Sequence, residues 1–247
     1  MSNKVSSGGG TLLTPILVKS DQEMAWPERE RLFYLLTRDG LYRCRQNEFF
    51  RSCVKADSGP SELEVQKPFF EPRFPKIPAA LIEQAVGFFT KIADLHGSEA
   101  AALFVWDRSE DQVHLIIPNQ TATMSGAGSG YRYPIGVHYD SPGELPEDWV
   151  VFGDIHSHVD YAAYASHTDV KDELHSAGLH IVVGRIRREP PELHVEAVVD
   201  GERFVLAPDD VFLGYANRRM TFPEQWIERV EIEEYKPAPY STFYSVN

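Results

Sequence analysis

Cysteine is nearly absent: the 247 residues contain two, Cys44 and Cys53, and they form no CxxC pair. Two thiols cannot build a four-cysteine structural zinc site, and they supply no disulfide framework. No apolar run approaches the roughly 20 residues that a bilayer crossing needs. The opening MSNKVSSGGG has no apolar core of a signal peptide. A soluble cytoplasmic protein with no membrane partner is therefore the expectation. Three catalytic signatures are also missing: no HExxH, no GxSxG elbow and no P-loop occur.

What remains is globular in proportion, 43% hydrophobic and 25% charged, with a net charge of −13. The charge is uneven. Residues 1–76 carry 12 Lys/Arg against 10 Asp/Glu, and residues 77–247 carry 12 against 27. So acidic a body repels phosphate backbones, which argues against nucleic acid as a partner. The same charge also serves solubility.

Residues 1–10 read as a Gly/Ser-rich disordered tail, and 11–76 as an N-terminal extension. Within it, two apolar stretches around Asp39-Gly40 predict a hairpin. Five prolines follow, at positions 60, 68, 72, 75 and 78, as an extended linker. Pro78 then suits the first turn of a helix whose apolar residues Leu81, Ile82, Ala85, Val86, Phe89, Ile92 and Ala93 keep helical period, with Gly97 as its stop. Strands are predicted over 100–106, 113–117, 135–139, 149–155, 180–186, 193–199 and 203–206. A short helix is predicted at 167–177 and a last one at 223–235. The catalytic domain is expected at 77–220, with a C-terminal helix and tail at 221–247. Helices mixed with mostly antiparallel strands give an α+β class, three-layer α/β/α-like. Tyr235, Tyr240, Phe243 and Tyr244 in the tail read as packing or docking residues.

The chemically informative stretch runs from Gly153 to Asp169. His156 and His158 stand two apart at a predicted strand end, so period-two geometry places both imidazoles on one face. Asp169 follows eleven residues after His158, at the start of the predicted helix. Two histidines and a carboxylate make three ligands with a fourth position open, the pattern of a catalytic rather than a structural zinc. Two plainer readings compete. A strand-end histidine is often only hydrogen-bonded, and Ser166-His-Thr-Asp169 has the form of a helix capping box.

H-S-H, seven residues, then S-x-x-D resembles the JAMM motif of the MPN-domain zinc metalloenzymes, including their prokaryotic deubiquitinase-like members. The resemblance covers roughly residues 77–206. It implies an MPN/cytidine-deaminase-like mixed sheet flanked by helices, and one Zn2+ per chain on His156, His158 and Asp169. The family's upstream glutamate falls on Glu99, which would handle the proton of the attacking water, and Ser166 would hydrogen-bond the tetrahedral intermediate. Val159 stands where the family usually has proline. By resemblance, the activity is cleavage after the C-terminus of a ubiquitin-like protein. The substrate would be such a protein or its conjugate, with conjugating enzymes of the same operon as further partners, in a bacterial conjugation or antiphage system. Alternatives are a processing peptidase maturing a ubiquitin-like or sulfur-carrier precursor, a non-catalytic MPN scaffold, or a PHP/amidohydrolase-like phosphoesterase. The last shares D-x-H-x-H with Asp154-Ile-His156-Ser-His158. Only 91 residues follow His156, short of the ~200 a (β/α)8 barrel would still need. The Gly-rich stretch 125–131 reads either as a wall of the substrate groove or as a plain connector.

Overall fold

The computed structural model describes residues 14–126, 132–173, 177–214, 219 and 221–235. The chain divides into two compact units, residues 1–68 and 69–247. In the first, a four-stranded sheet has the order β1 (Ile16–Val18), β2 (Leu32–Thr37), β3 (Gly40–Gln46), β4 (Arg51–Lys55). The predicted hairpin is β2–β3, with Thr37 opposite Gly40, so Arg38 and Asp39 form the turn. Gly40, at φ +133°, takes a backbone angle that L side chains rarely adopt. Phe33, Leu35 and Cys44 form the core under Trp26, whose ring meets Phe33 edge-on at 5.2 Å.

The second unit starts with β5 (Ile77–Pro78) and α1 (Ala79–His96). The helix ends in Gly97 at φ 69°, whose N–H bonds Ala93 O, so the predicted glycine stop is an αL cap. Next come β6 (Ala101–Asp107), β7 (Gln112–Ile116), β8 (Gln120–Ser125), β9 (Tyr133–Tyr139) and β10 (Trp149–Ser157). After α2 (His167–Glu173) come β11 (Gly178–Gly184), β12 (Glu192–Val199) and β13 (Glu202–Val205). A single turn, α3 (Pro208–Val211), leads to β14 (Phe212–Leu213), which pairs with β5.

Six strands form the central sheet in the order β13-β12-β11-β10-β6-β7, with only β10 and β11 parallel. The fold is α+β, as expected. A mixed sheet of this order is no (β/α)8 barrel, which removes the phosphoesterase reading. One sheet face packs on α1: Ile155, Leu179, Ile181 and Val183 share a buried cluster with Ile82, Val86 and Phe89. Strand alternation turns Asp154, His156 and His180 to the opposite face. Burying so many aliphatic and aromatic side chains supplies the main driving force for this unit.

One expected element is different. Residues 223–235 are not a helix but a 3-10 segment, Glu224–Arg229, followed by β15 (Val230–Glu234). This strand pairs in parallel with β8 in a small sheet of order β15-β8-β9. Val230-Glu-Ile-Glu-Glu234 alternates apolar and acidic residues, a period-two signal that the helical reading overrode. The strand β8 itself was not anticipated either.

Candidate metal centre

The site grows from the end of β10. His156 is the penultimate residue of the strand and His158 lies just past its end, where its N–H still bonds Val183 O. Ser157, between them, points to the other face, and its N–H bonds Ala100 O. The resulting clamp also sets Glu99. Ala101 is paired with His156, so Glu99 runs alongside the His158 level of β10. Gln120 grips Ala101 from both sides, accepting from its N–H at 2.7 Å and donating to its carbonyl at 3.0 Å.

The loop after His158 is held tightly. Val159 has φ 50°, a left-handed value that fixed-φ proline cannot reach. Arg185 N–H bonds Tyr161 O, and Ile186 N–H bonds Val159 O. At Gly184, a Cβ would lie 2.2 Å from Ala163 N and 2.4 Å from the Ala162 carbonyl carbon. Only glycine allows the loop to press so close. The loop in turn places Ala162 O 3.3 Å from His158 Nδ1. That contact fixes the tautomer and leaves Nε2 to bind a metal.

Asp169 arrives from α2. Ser166 Oγ accepts from Asp169 N–H at 3.2 Å, and Asp169 Oδ2 accepts from Ser166 N–H at 2.7 Å. The capping box is thus formed, and the same helix start carries the Asp169 carboxylate toward the two histidines. The same Oδ2 lies 3.6 Å from His156 Nε2 and 3.5 Å from His158 Nε2, and the two Nε2 atoms are 3.2 Å apart. Donors about 2.0–2.2 Å from a tetrahedral centre lie roughly 3.3–3.6 Å from one another. The three donors fit one zinc-sized cation. Among the described residues, His156, His158 and Asp169 are the one group of this kind.

Electrostatics agree with the geometry. Burial alone would lower the His156 pKa, but the hydrogen bond and charge of Asp169, with Glu99 and Asp154, raise it to about 9. Asp169 is held far below the ordinary carboxylate range: burial opposes this, and bonding to both histidines and Ser166 outweighs it. Burial pushes Glu99 up, the two histidines pull it down, and Asp169 pushes it up again; the net shift is upward. Glu99, His156, His158, Ser166 and Asp169 line one cavity of about 360 Å³, with no lysine or arginine among its described lining residues.

Sequence reasoning missed the second polar cluster in this cavity. Asp154 Oδ2 lies 2.7 Å from His180 Nδ1 on the neighbouring strand. Asp154 therefore belongs to that pair and not to the metal set, contrary to the D-x-H-x-H reading. Its position two residues before His156, on the same strand face, was the available signal. Of the stretch 125–131, residues 127–131 lie outside the described residues. So do Tyr240, Phe243 and Tyr244. The strand that follows that stretch, β9, does line the cavity, through Tyr133–Val137 and Tyr139.

Residues 87–198 match the family model of prokaryotic homologs of the JAB domain. The match spans just under half of the chain and is consistent with a member of the JAMM/MPN family. The matched segment holds Glu99, both histidines, Ser166 and Asp169. No curated protein matches the chain. The JAB family includes metalloisopeptidases and also non-catalytic members. No described helix is long and apolar enough to cross a membrane.

Proposed function

We propose that the JAB domain is a zinc-dependent isopeptidase or peptidase that hydrolyses the bond after the C-terminus of a ubiquitin-like protein. The observation that carries this reading is the set of three donor atoms 3.2–3.6 Å apart with the buried Glu99 in the same cavity. A scaffold has no need to keep the ligands and the base together.

Zinc bound by His156, His158 and Asp169 would polarise the scissile carbonyl and lower the pKa of the attacking water to about 7. Glu99 takes the proton of that water and delivers it to the leaving amine. Its burial suits this work, because a carboxylate raised toward neutrality both accepts and returns a proton. Ser166 Oγ uses a lone pair on Asp169 N–H, so its O–H proton is available for the developing oxyanion. The substrate tail adds to the edge strand β9, which ends its sheet and walls the cavity. Nothing lies within 4 Å of a Cβ built at Gly136, which leaves room for a second backbone. Processing of a linear ubiquitin-like or sulfur-carrier precursor would use the same groove. The prokaryotic family model supports a bacterial setting, and we extend the reading to a cytoplasmic ubiquitin-like conjugation or antiphage operon.

The test is the metal content and turnover of the purified protein. One zinc per chain is expected, sharply reduced in His156→Ala and Asp169→Ala. Glu99→Gln should keep its zinc and lose about 10²–10⁴-fold in rate on a modifier–peptide fusion. Full zinc in both ligand variants would overturn the ligand set, and full activity in Glu99→Gln would overturn the assignment of the base.

A further inference from the structure

Among the described residues of α2, the helix that delivers Asp169, the buried contact with the sheet is made by a charged side chain and not by an apolar one. Among the seven residues of α2, Glu173 is the one that is buried. Val170, the apolar candidate, is 38% exposed. Asp169 and Glu173 are four residues apart, so they share one helix face a turn apart. Glu173 Oε2 accepts from Arg203 Nη2 at 2.6 Å, and its Oε1 lies 3.6 Å from His180 Nδ1. Arg203 Nε donates to Glu196 Oε2 at 2.6 Å, and His180 continues to Asp154. The network crosses β10, β11, β12 and β13 and, among the described residues, reaches α2 through Glu173.

We propose that Glu173 and Arg203 are positioning residues for the metal centre: their ion pair moors the far end of α2 and so holds Asp169 Oδ2 against His156 and His158. The inference rests on the metal reading above. At its start the helix is fixed by Ser166, whose N–H and Oγ both engage Asp169. With no buried apolar residue among the described positions of α2, the helix needs a second fixed point, or its carboxylate swings out of the ligand triangle. Arg203 suits the role because its planar fork bonds two carboxylates at once, Glu173 from the helix and Glu196 from the sheet. Removing Arg203 takes the strongest bond from the buried Glu173, and neutralising Glu173 leaves Arg203 to Glu196 alone, so in both cases the helix end loses its tie to the sheet. If the ligand-competent position falls to a tenth of the population, the apparent zinc Kd rises tenfold. Outer-shell substitutions at metal sites commonly weaken affinity 10–100-fold.

The experiment is a zinc titration of the full chain against a chromophoric chelator, with circular dichroism and thermal melting of each metal-free variant. Glu173→Gln keeps the side-chain shape and removes the charge, and should raise Kd by about 10–100-fold. Arg203→Lys keeps the charge but not the fork, and should raise it less. Arg187→Ala breaks the exposed pairs to Asp94 and Asp160 and should leave Kd unchanged. A Glu173→Gln protein with wild-type Kd overturns the mooring even if its melting temperature falls. So does an Arg187→Ala protein whose Kd rises as much as that of Glu173→Gln. A wild-type protein that takes up no zinc sinks the metal reading and this inference together, whereas zinc-loaded wild type with unchanged variants sinks the mooring alone.

Discussion

At the scale of single residues, His156 links protonation to metal uptake. A ligating imidazole must be neutral, and its neighbours raise this one to about 9. Below that pH, zinc competes with a proton, so apparent affinity should climb roughly tenfold per pH unit between pH 6.5 and 9. The metal-free protein should behave oppositely. A group whose folded pKa is raised contributes stability that is complete below its unfolded pKa, here 6.5, and that disappears as pH rises through 9. Urea unfolding of the apo protein across this window, beside chelator titrations, checks both slopes; a flat affinity profile would show that His156 is not a ligand. The cysteines offer a second residue-scale contrast. Cys44 and Cys53 face each other across β3 and β4 with Sγ atoms 3.2 Å apart, and both are free. Burial, with the hydrogen bond to Cys53, pushes the Cys44 thiol up to about 12, whereas Cys53 is exposed. One rapid thiol equivalent per native chain is expected with a thiolate-selective alkylator at pH 8, and two after denaturation. Two rapid equivalents in the native state would contradict the burial of Cys44.

Among the elements, the loop between β10 and α2 does more than connect. It reverses the chain at Val159, touches Gly184 without room for a Cβ, and returns Ala162 O to His158. Placing a proline at position 159 should therefore harm this protein. Val159→Pro demands φ near −65° where the backbone has +50°, and it should cost more than about 1 kcal/mol in urea unfolding. Wild-type stability in this variant would mean that the turn has another accessible form. The helix α2 and strand β15 show opposite failures of local reading. A capping box announced α2 correctly, because its signal lies within four residues. The strand β15 was mistaken for helix because its pairing partner, β8, is about 110 residues away.

For the whole molecule, the two compact units divide the labour unequally. Every ligand, Glu99, Ser166 and the Glu173–Arg203 pair lie in residues 69–247, with their own buried core. A fragment of residues 69–247 should therefore fold and bind one zinc with the affinity of the full chain. Elemental analysis and a melting curve decide this, and a zinc-free or unfolded fragment would show that residues 1–68 complete the domain. The negative charge of residues 77–247 gives a long-range field, so on the proposed function the association rate of a basic modifier, followed by stopped flow, should fall as salt rises, and a salt-independent rate would limit the charge to solubility.

Sequence alone determined the parts that depend on short spacing. The two-residue step from His156 to His158 puts both imidazoles on one strand face, and the three-residue step from Ser166 to Asp169 caps a helix. Gly97 stops α1 because only a residue tolerant of αL ends it so. Glu99 was legible only through family resemblance, since nothing local separates it from the many other acids. Tertiary structure decided the rest. It brought the three donors to 3.2–3.6 Å, chose positive φ at Val159, and set Asp154 on His180 instead of in the group of His156, His158 and Asp169. It also joined Glu173 to Arg203 across 30 residues. These contacts depend on which strands lie side by side, and strand order is fixed by burial of the whole core, which no short window of sequence contains.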